Sequence, residues 1–328
     1  VSNWRPSAEI KTLRERAAFF ASIREFFSAR DVLEVDTPCL SYDSITDVNI
    51  DPLTTSWQKT KSKNKYPLYL QTSPEFYMKR LLAAGSEDIF YLGKCFRNEP
   101  ASRQHQPEFT MLEWYRCDFD MQDLVDEVKQ LIEHLLSMTV EQITYQQAFI
   151  KYLQFDPLSL SDTDISTLSD KYDLNVYLSN LSVHSSLPSM LNARKDALLD
   201  VLFSRFIEGP LSENKAVIIT HYPASQASLA QLSEDQKTAE RFELYINNVE
   251  IANGFTELTD PAVQRTRFVQ DNKIRSLLGK PKREIDENFI SALEAGLPAC
   301  SGVAIGVDRL FMLNQGLSSI RQTMPFGF

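Results

Sequence analysis

The chain has no C-x-x-C pair, no apolar run approaching membrane-spanning length and no excess of positive charge. Its four cysteines, Cys39, Cys95, Cys117 and Cys300, lie far apart, which indicates neither a zinc site nor a disulfide framework, so reduced thiols are expected. A helix crosses a bilayer only with about 20 predominantly apolar residues in a row, and none is present. Residues Val1 to Arg5 lack the apolar core of a signal peptide, so the expected setting is cytoplasmic, without a membrane partner. Lys and Arg number 34 against 44 Asp and Glu, a net charge of -10. That balance disfavours broad binding to nucleic acid, whose affinity comes largely from cations neutralising phosphates. The one basic run, Lys59, Lys61, Lys63 and Lys65, reads as a solvated loop tip or as a docking site for an acidic partner.

With 328 residues and 43% hydrophobic residues, there is ample material for a core. Ser7 reads as the cap of a helix whose apolar residues Ile10, Leu13, Ala17, Phe20, Ile23 and Phe27 fall on one face, ending near Arg30. Val32 to Pro38 reads as a strand at a sheet edge, because proline cannot donate to a ladder. Ser73-Pro74-Glu75 has the cap, first-turn proline and acidic residue of a helix start. Further helices are expected over 120–138, 186–207, 261–278 (stopped by Gly279) and 286–295 (stopped by Gly296), with a buried strand at 217–220. Strands far apart in sequence, joined by helices and hairpins, predict an α+β fold with a mixed, mostly antiparallel sheet.

Three segments carry chemistry. In the first, extended backbone over 88–99 places Arg97 and Glu99 on one face, and the returning strand adds Phe109, Met111, Glu113 and Tyr115 to one face. A guanidinium forks onto phosphate, a phenyl ring stacks on a base and carboxylates accept from amines. The competing reading is a hairpin with a salt-bridged solvent face. In the second, Asn247-Asn248 reads as a two-residue turn that sets Tyr245 opposite Glu250 and Glu243 opposite Ala252. Glu243 and Glu250 then lie diagonally on one face, tolerable if a divalent cation near phosphates sits between them; two exposed glutamates are the alternative. A bulge at Ala252 to Gly254 would bring Asn253 and Glu257 to the same side. In the third, Gly302 and Gly306 lead from a strand into a helix whose first turn carries Arg309, where phosphate charge is welcome.

Together these segments resemble motifs 1, 2 and 3 of the class II aminoacyl-tRNA synthetases. Ser73-Pro74-Glu75, Pro107 to Glu113, Glu240 to Glu243 and Asn253 to Leu258 are similar to the lysyl-tRNA synthetase core, and the resemblance runs from about Ser7 to Arg321. It implies one catalytic domain over residues 1–328. The anticodon-reading OB-fold of a lysyl-tRNA synthetase is expected to be missing, since about ten residues precede the first core helix, so no tRNA partner is expected. That combination is similar to the elongation factor P (R)-β-lysine ligases, as are Ser102-Arg103-Gln104-His105, the segment Tyr222 to Gln231, and Ala304 at a position that is glycine in lysyl-tRNA synthetases. Gln104, often tyrosine in the ligases, and Gln106, often asparagine, depart from that pattern.

The resemblance implies ATP as substrate, Mg2+ held by Glu243 and Glu250, and Arg97 and Arg309 as the catalytic cations. ATP contacts would come from Arg97, Asn98, Glu99, His105, Gln106, Phe109, Glu243, Leu244, Glu250, Gly306 and Arg309. (R)-β-lysine, or lysine, would be bound by Ser73, Pro74, Glu75, Glu113, Tyr115, Glu250, Asn253, Glu257 and Ala304, with three carboxylates against a dication. Elongation factor P is the implied acceptor, and motif 1 with Pro38 resembles a homodimer interface. His134, His184 and His221 receive no role. A tRNA-charging fragment, an asparagine-synthetase-like amidating enzyme and a non-catalytic paralogue remain as other readings.

Overall fold

The computed structural model describes residues 4–58, 65–175 and 188–328. The chain folds as two units, one built from Val1–Ser137 with Glu257–Phe328, the other from Met138–Thr256.

The first unit opens with helix α1 (Ile10–Ser28). Its buried residues are Phe19, Ile23, Phe26 and Phe27, whereas Ile10 is 60% exposed and Ala17 also faces solvent. The expected stripe is therefore right at Ile23 and Phe27 and wrong at Ile10 and Ala17. Ser7 is not a cap: Glu9 occupies that position without a side-chain bond, while Ser7 donates its N–H to Pro325 O and accepts from Gly327 N through its hydroxyl. The predicted 32–38 strand shrinks to β1 (Leu33–Glu34), which runs parallel to β5 (Ile89–Phe96) at the sheet edge. Strands β2 (Leu40–Ser41), β3 (Thr54–Trp57) and β4 (Tyr66–Leu70) form a separate antiparallel sheet in the order β2-β4-β3. Helix α2 (Glu75–Ala83) starts one residue later than read: Pro74 holds the cap position and its carbonyl accepts from Met78 N, while Ser73, just before it, accepts from Glu75 N through Oγ at 3.0 Å. Strand β6 (Glu108–Cys117) returns antiparallel to β5, and α3 (Met121–Leu136) follows, its first turn closed by Asp120 and Asp123 in a capping box.

The second unit begins with β7 (Val140–Thr144), α4 (Tyr145–Leu153), α5 (Asp162–Lys171) and α6 (Pro188–Leu202), which runs on through a π-helical turn, Phe203–Ile207, into the short α7 (Glu208–Ser212). Three strands complete it: β8 (Ala216–Pro223), β9 (Thr238–Ile246) and β10 (Val249–Thr256). Their order is β7-β8-β9-β10, parallel only at β7-β8. Tyr145, Phe149, Leu198, Leu202, Val217, Ile219 and Tyr245 lie in one buried cluster on this sheet.

The chain then returns to the first unit with α8 (Pro261–Leu277), α9 (Glu287–Gly296), β11 (Cys300–Gly306) and α10 (Val307–Asn314). Gly279 and Gly296, with φ of +70° and +112°, stop α8 and α9 as expected. Strand β11 pairs antiparallel with β6, so the order here is β1-β5-β6-β11. The fold is α+β with mostly antiparallel strand pairing. The basic run lies largely outside the described residues, as does His184.

Candidate active site

The β5–β6 hairpin keeps its phase but not its full length. The strand ends at Phe96; Arg97 makes one more bond, to Pro107 O, and Asn98 turns away to donate to Asp51 O. Pairing with β6 therefore stops short of Glu99, because Asp51 captures the next amide. On β6, Trp114 packs on Phe27 and donates to Glu127, whereas Glu113 and Tyr115 face the opposite way, as alternation requires.

There, Glu113 accepts from Tyr115 OH at 2.8 Å and Ser73 Oγ at 3.1 Å. Glu75, at the start of α2, and Glu257, just after β10, each lie 2.6 Å from the ammonium of Lys79, which is 1% exposed. Glu113 and Glu257 are both buried, and burial pushes each carboxyl up to about 8. Burial opposes the Lys79 charge, but Glu257 and Glu75 more than offset it and raise its pKa. Ser73, Glu75, Glu113, Tyr115 and Glu257 therefore meet around one buried group, while Ala304 pairs with Glu113 in the β6–β11 register. Gly302, expected to admit a ligand to the backbone, instead makes room for protein: a Cβ there would run into the Tyr115 ring and stand 2.7 Å from Glu257 Oε1.

A second cluster forms where the hairpin loop meets α10. Arg309 donates to Gln104 O at 3.1 Å and to His105 Nε2 at 2.6 Å. Burial and the Arg309 charge lower the His105 pKa, which favours the neutral ring. With Nε2 accepting, the proton sits on Nδ1 and is donated to Ser102 Oγ at 2.9 Å. The Arg97 guanidinium lies 5.3 Å from the centroid of Phe109. Gln106 is buried, and its side-chain oxygen accepts from Phe328 N. Asp308 holds the cluster to its strand: it accepts from Thr110 N at 2.6 Å, just past the last β6–β11 pair, and binds Arg16 at 2.5 Å.

In the second unit, Asn247 and Asn248 both have positive φ, which fits the two-residue turn. Tyr245 pairs with Glu250 as expected, but the bulge falls at Ile251, earlier than Ala252 to Gly254, so Glu243 pairs with Asn253 rather than Ala252. Ile251 takes the extra place because its apolar side chain is buried there. The consequence foreseen for Asn253 still follows: Glu243, Tyr245, Glu250 and Asn253 share a face. Leu244, fully buried, points to the other. Glu243 accepts from Tyr222 OH and Tyr245 OH, each at 2.7 Å, and from Arg241 at 2.5 Å. Arg241 also donates to Asn253 Oδ1 and Gln226 O. A bulge in β8 at His221, with φ of +59°, turns Tyr222 onto the Glu243 face. No group of three or more His, Cys, Asp or Glu gathers as a metal cage among the described residues. Mg2+ uses one or two carboxylates and completes its shell with phosphates and water, so the pair Glu243 and Glu250, on one face by register, suits it.

The family model for class II tRNA synthetases (D, K and N) matches residues 3–328. The chain belongs to this family. It is also similar over 99% of its length to proteins named elongation factor P (R)-β-lysine ligase: 47% identical to those of Hamiltonella defensa and Salmonella typhi, covering 97% of each, and 47% identical to that of Proteus mirabilis, covering 98%. Against this family background, sequence reasoning missed four positions. Lys79 is hidden in an ordinary helical pattern, although its spacing of four from Glu75 is a pairing signal. Arg241, two residues before Glu243 on the same strand, was within reach of the alternation argument. Arg16 and Asp308 are 292 positions apart, and no local pattern joins them.

Proposed function

We propose that this protein activates (R)-β-lysine with ATP and transfers it to a lysine ε-amino group of elongation factor P. The observation that carries this reading is the meeting of Glu75, Glu113 and Glu257 around one buried group, a set of acceptors suited to two ammonium groups and unsuited to a side-chain carboxylate. The names of the 47% identical relatives supply the acceptor.

A carboxylate oxygen of the amino acid attacks the α-phosphorus in line, the bond to the β-phosphate oxygen breaks, and pyrophosphate leaves. The acceptor amine then attacks the carbonyl carbon of the adenylate, a C–N bond forms, AMP departs and the amine loses a proton to solvent. Arg97 stabilises charge on the α-phosphate, and Arg309 with His105 holds the γ-phosphate. Phe109 stacks on adenine, Glu99 accepts from its amino group, and Asn98, Gln106, Leu244 and Gly306 complete the nucleotide contacts. Ser73, Pro74, Glu75, Glu113, Tyr115, Asn253, Glu257 and Ala304 bind the amino acid, with Glu250 serving both amino acid and metal. Glu243 and Glu250 would hold Mg2+, which would supply charge neutralisation at the phosphates. The reading includes one catalytic domain, a cytoplasmic setting, no tRNA partner and a homodimer through the motif 1 segment. Exposed Leu33 and Leu40 beside Pro38 support the dimer, and no helix among the described residues is long and apolar enough to cross a membrane.

Pyrophosphate exchange with β-lysine, α-lysine and aspartate, followed by transfer to elongation factor P or to tRNA, tests it. Exchange with a diamino acid and labelling of the protein acceptor are expected. Aspartate-dependent exchange, efficient tRNA charging, or no exchange at all would sink the reading.

A further inference from the structure

The carboxylates assigned to the substrate already hold a cation belonging to the protein. Lys79 lies 2.6 Å from both Glu75 and Glu257 and is 1% exposed, with the Phe289 ring of α9 5.9 Å from its nitrogen. Tyr115 and Glu113 face this group from β6, and Cys300 from β11. With the three carboxyl groups ionised, three negative charges against one positive leave a net charge of minus two. A buried lysine is costly, and an unmatched trio of buried carboxylates costs more.

We propose that Lys79 is a positioning residue, a built-in counter-ion that sets the pocket at minus two and so matches it to an amino acid carrying two ammonium groups. This rests on the diamino acid reading above and adds what fixes the charge count. The ammonium also holds Glu75 and Glu257 at their geometry before substrate arrives. Because burial raises Glu113 and Glu257, the empty pocket keeps a proton on this pair at neutral pH and gives it up when a dication enters.

Two backgrounds separate this role from a structural brace. In the otherwise native chain, Lys79→Met leaves three carboxyl groups that take up protons instead. KM for the diamino acid in pyrophosphate exchange should rise by about tenfold or more at pH 7, the penalty shrinking as pH rises toward 9, with kcat and the KM for ATP unchanged. In a Glu257→Gln background the count starts at minus one, and adding Lys79→Met restores minus two. The double variant should therefore bind the diamino acid more tightly than Glu257→Gln alone, by about threefold to tenfold. A brace predicts weaker binding in both backgrounds, independent of pH, and either result would overturn the proposal. If Lys79→Met does not fold, the double variant against Glu257→Gln still decides, because it buries one charge pair fewer. Native protein that exchanges no diamino acid overturns the functional reading itself; exchange by the native protein with the wrong sign in the double variant overturns only the role of Lys79.

Discussion

Two carboxylate sites of this molecule are built on opposite principles. In the β9–β10 hairpin, Glu243 is answered in full by the Arg241 guanidinium and two tyrosine hydroxyls before any ligand is present. In the pocket of the first unit, Glu75, Glu113 and Glu257 share a single ammonium, and two of the three are pushed up to about 8. The first arrangement stabilises the fold and presents a fixed oxygen pair; the second spends folding stability on a charge deficit that a cationic ligand can fill. That difference separates a carboxylate the protein has already satisfied from a cluster in which carboxyl groups outnumber cations.

The largest expected effect breaks the satisfied side. Glu243→Ala leaves Arg241, whose side chain is 17% exposed, without its carboxylate, and strands two tyrosine hydroxyls in the same cluster. Removing one partner of a buried pair costs about 3–5 kcal/mol, which urea unfolding at pH 7 should register as a lower midpoint. Unchanged stability would mean that Arg241 finds another partner and that Glu243 is no keystone.

The deficient side should respond with the opposite sign. Burial first, and Glu75 second, raise Glu113, so its folded-state value of about 8 lies above its unfolded one. The stability it contributes is fully present below the ordinary carboxyl range and is lost as pH rises through about 8. Glu113→Gln removes that loss, and the variant should be more stable than the native chain by about 1 kcal/mol at pH 8, with little difference at pH 4. Diamino acid binding should fall at the same time. Thermal unfolding across that pH range checks it, and a destabilised variant at pH 8 would remove the contrast between the two sites.

How much of this was legible follows from which interactions are local. Alternation along β6 placed Glu113 and Tyr115 together, and the Asn247-Asn248 turn set Tyr245 against Glu250, because both depend only on neighbouring backbone. The face shared by Glu243 and Asn253 was foreseen through a bulge, yet its position was not, since burial of Ile251 decides that and burial is a tertiary quantity. Ser7 was misread for the same reason: residues 325 and 327, at the far end of the chain, claim its polar groups. Lys79 shows the limit most clearly. Its pairing with Glu75 is helical and local, but its bond to Glu257 joins residues 178 positions apart, and only that bond makes it part of a site.

The smallest effect sharpens the comparison within the pocket, where shape must add to charge. Ala304 is the cross-strand partner of Glu113, and two register steps away, on the same face, Gly302 lies against Tyr115. On the proposed reading, the Ala304 methyl would shift where an ammonium group rests relative to the Glu113 carboxyl without altering the charge count. Ala304→Gly leaves Glu75, Glu113, Glu257 and Lys79 in place, so affinity for diamino acids as a class should persist. What should move is the preference between β- and α-lysine: one methyl in a pocket is worth about 1 kcal/mol, a shift of about fivefold in the ratio of kcat/KM toward the α-amino acid. Parallel exchange assays with the two isomers measure that ratio directly. If the variant lost both substrates equally, Ala304 would serve β6–β11 packing alone, and discrimination between the isomers would have to come from the carboxylates themselves.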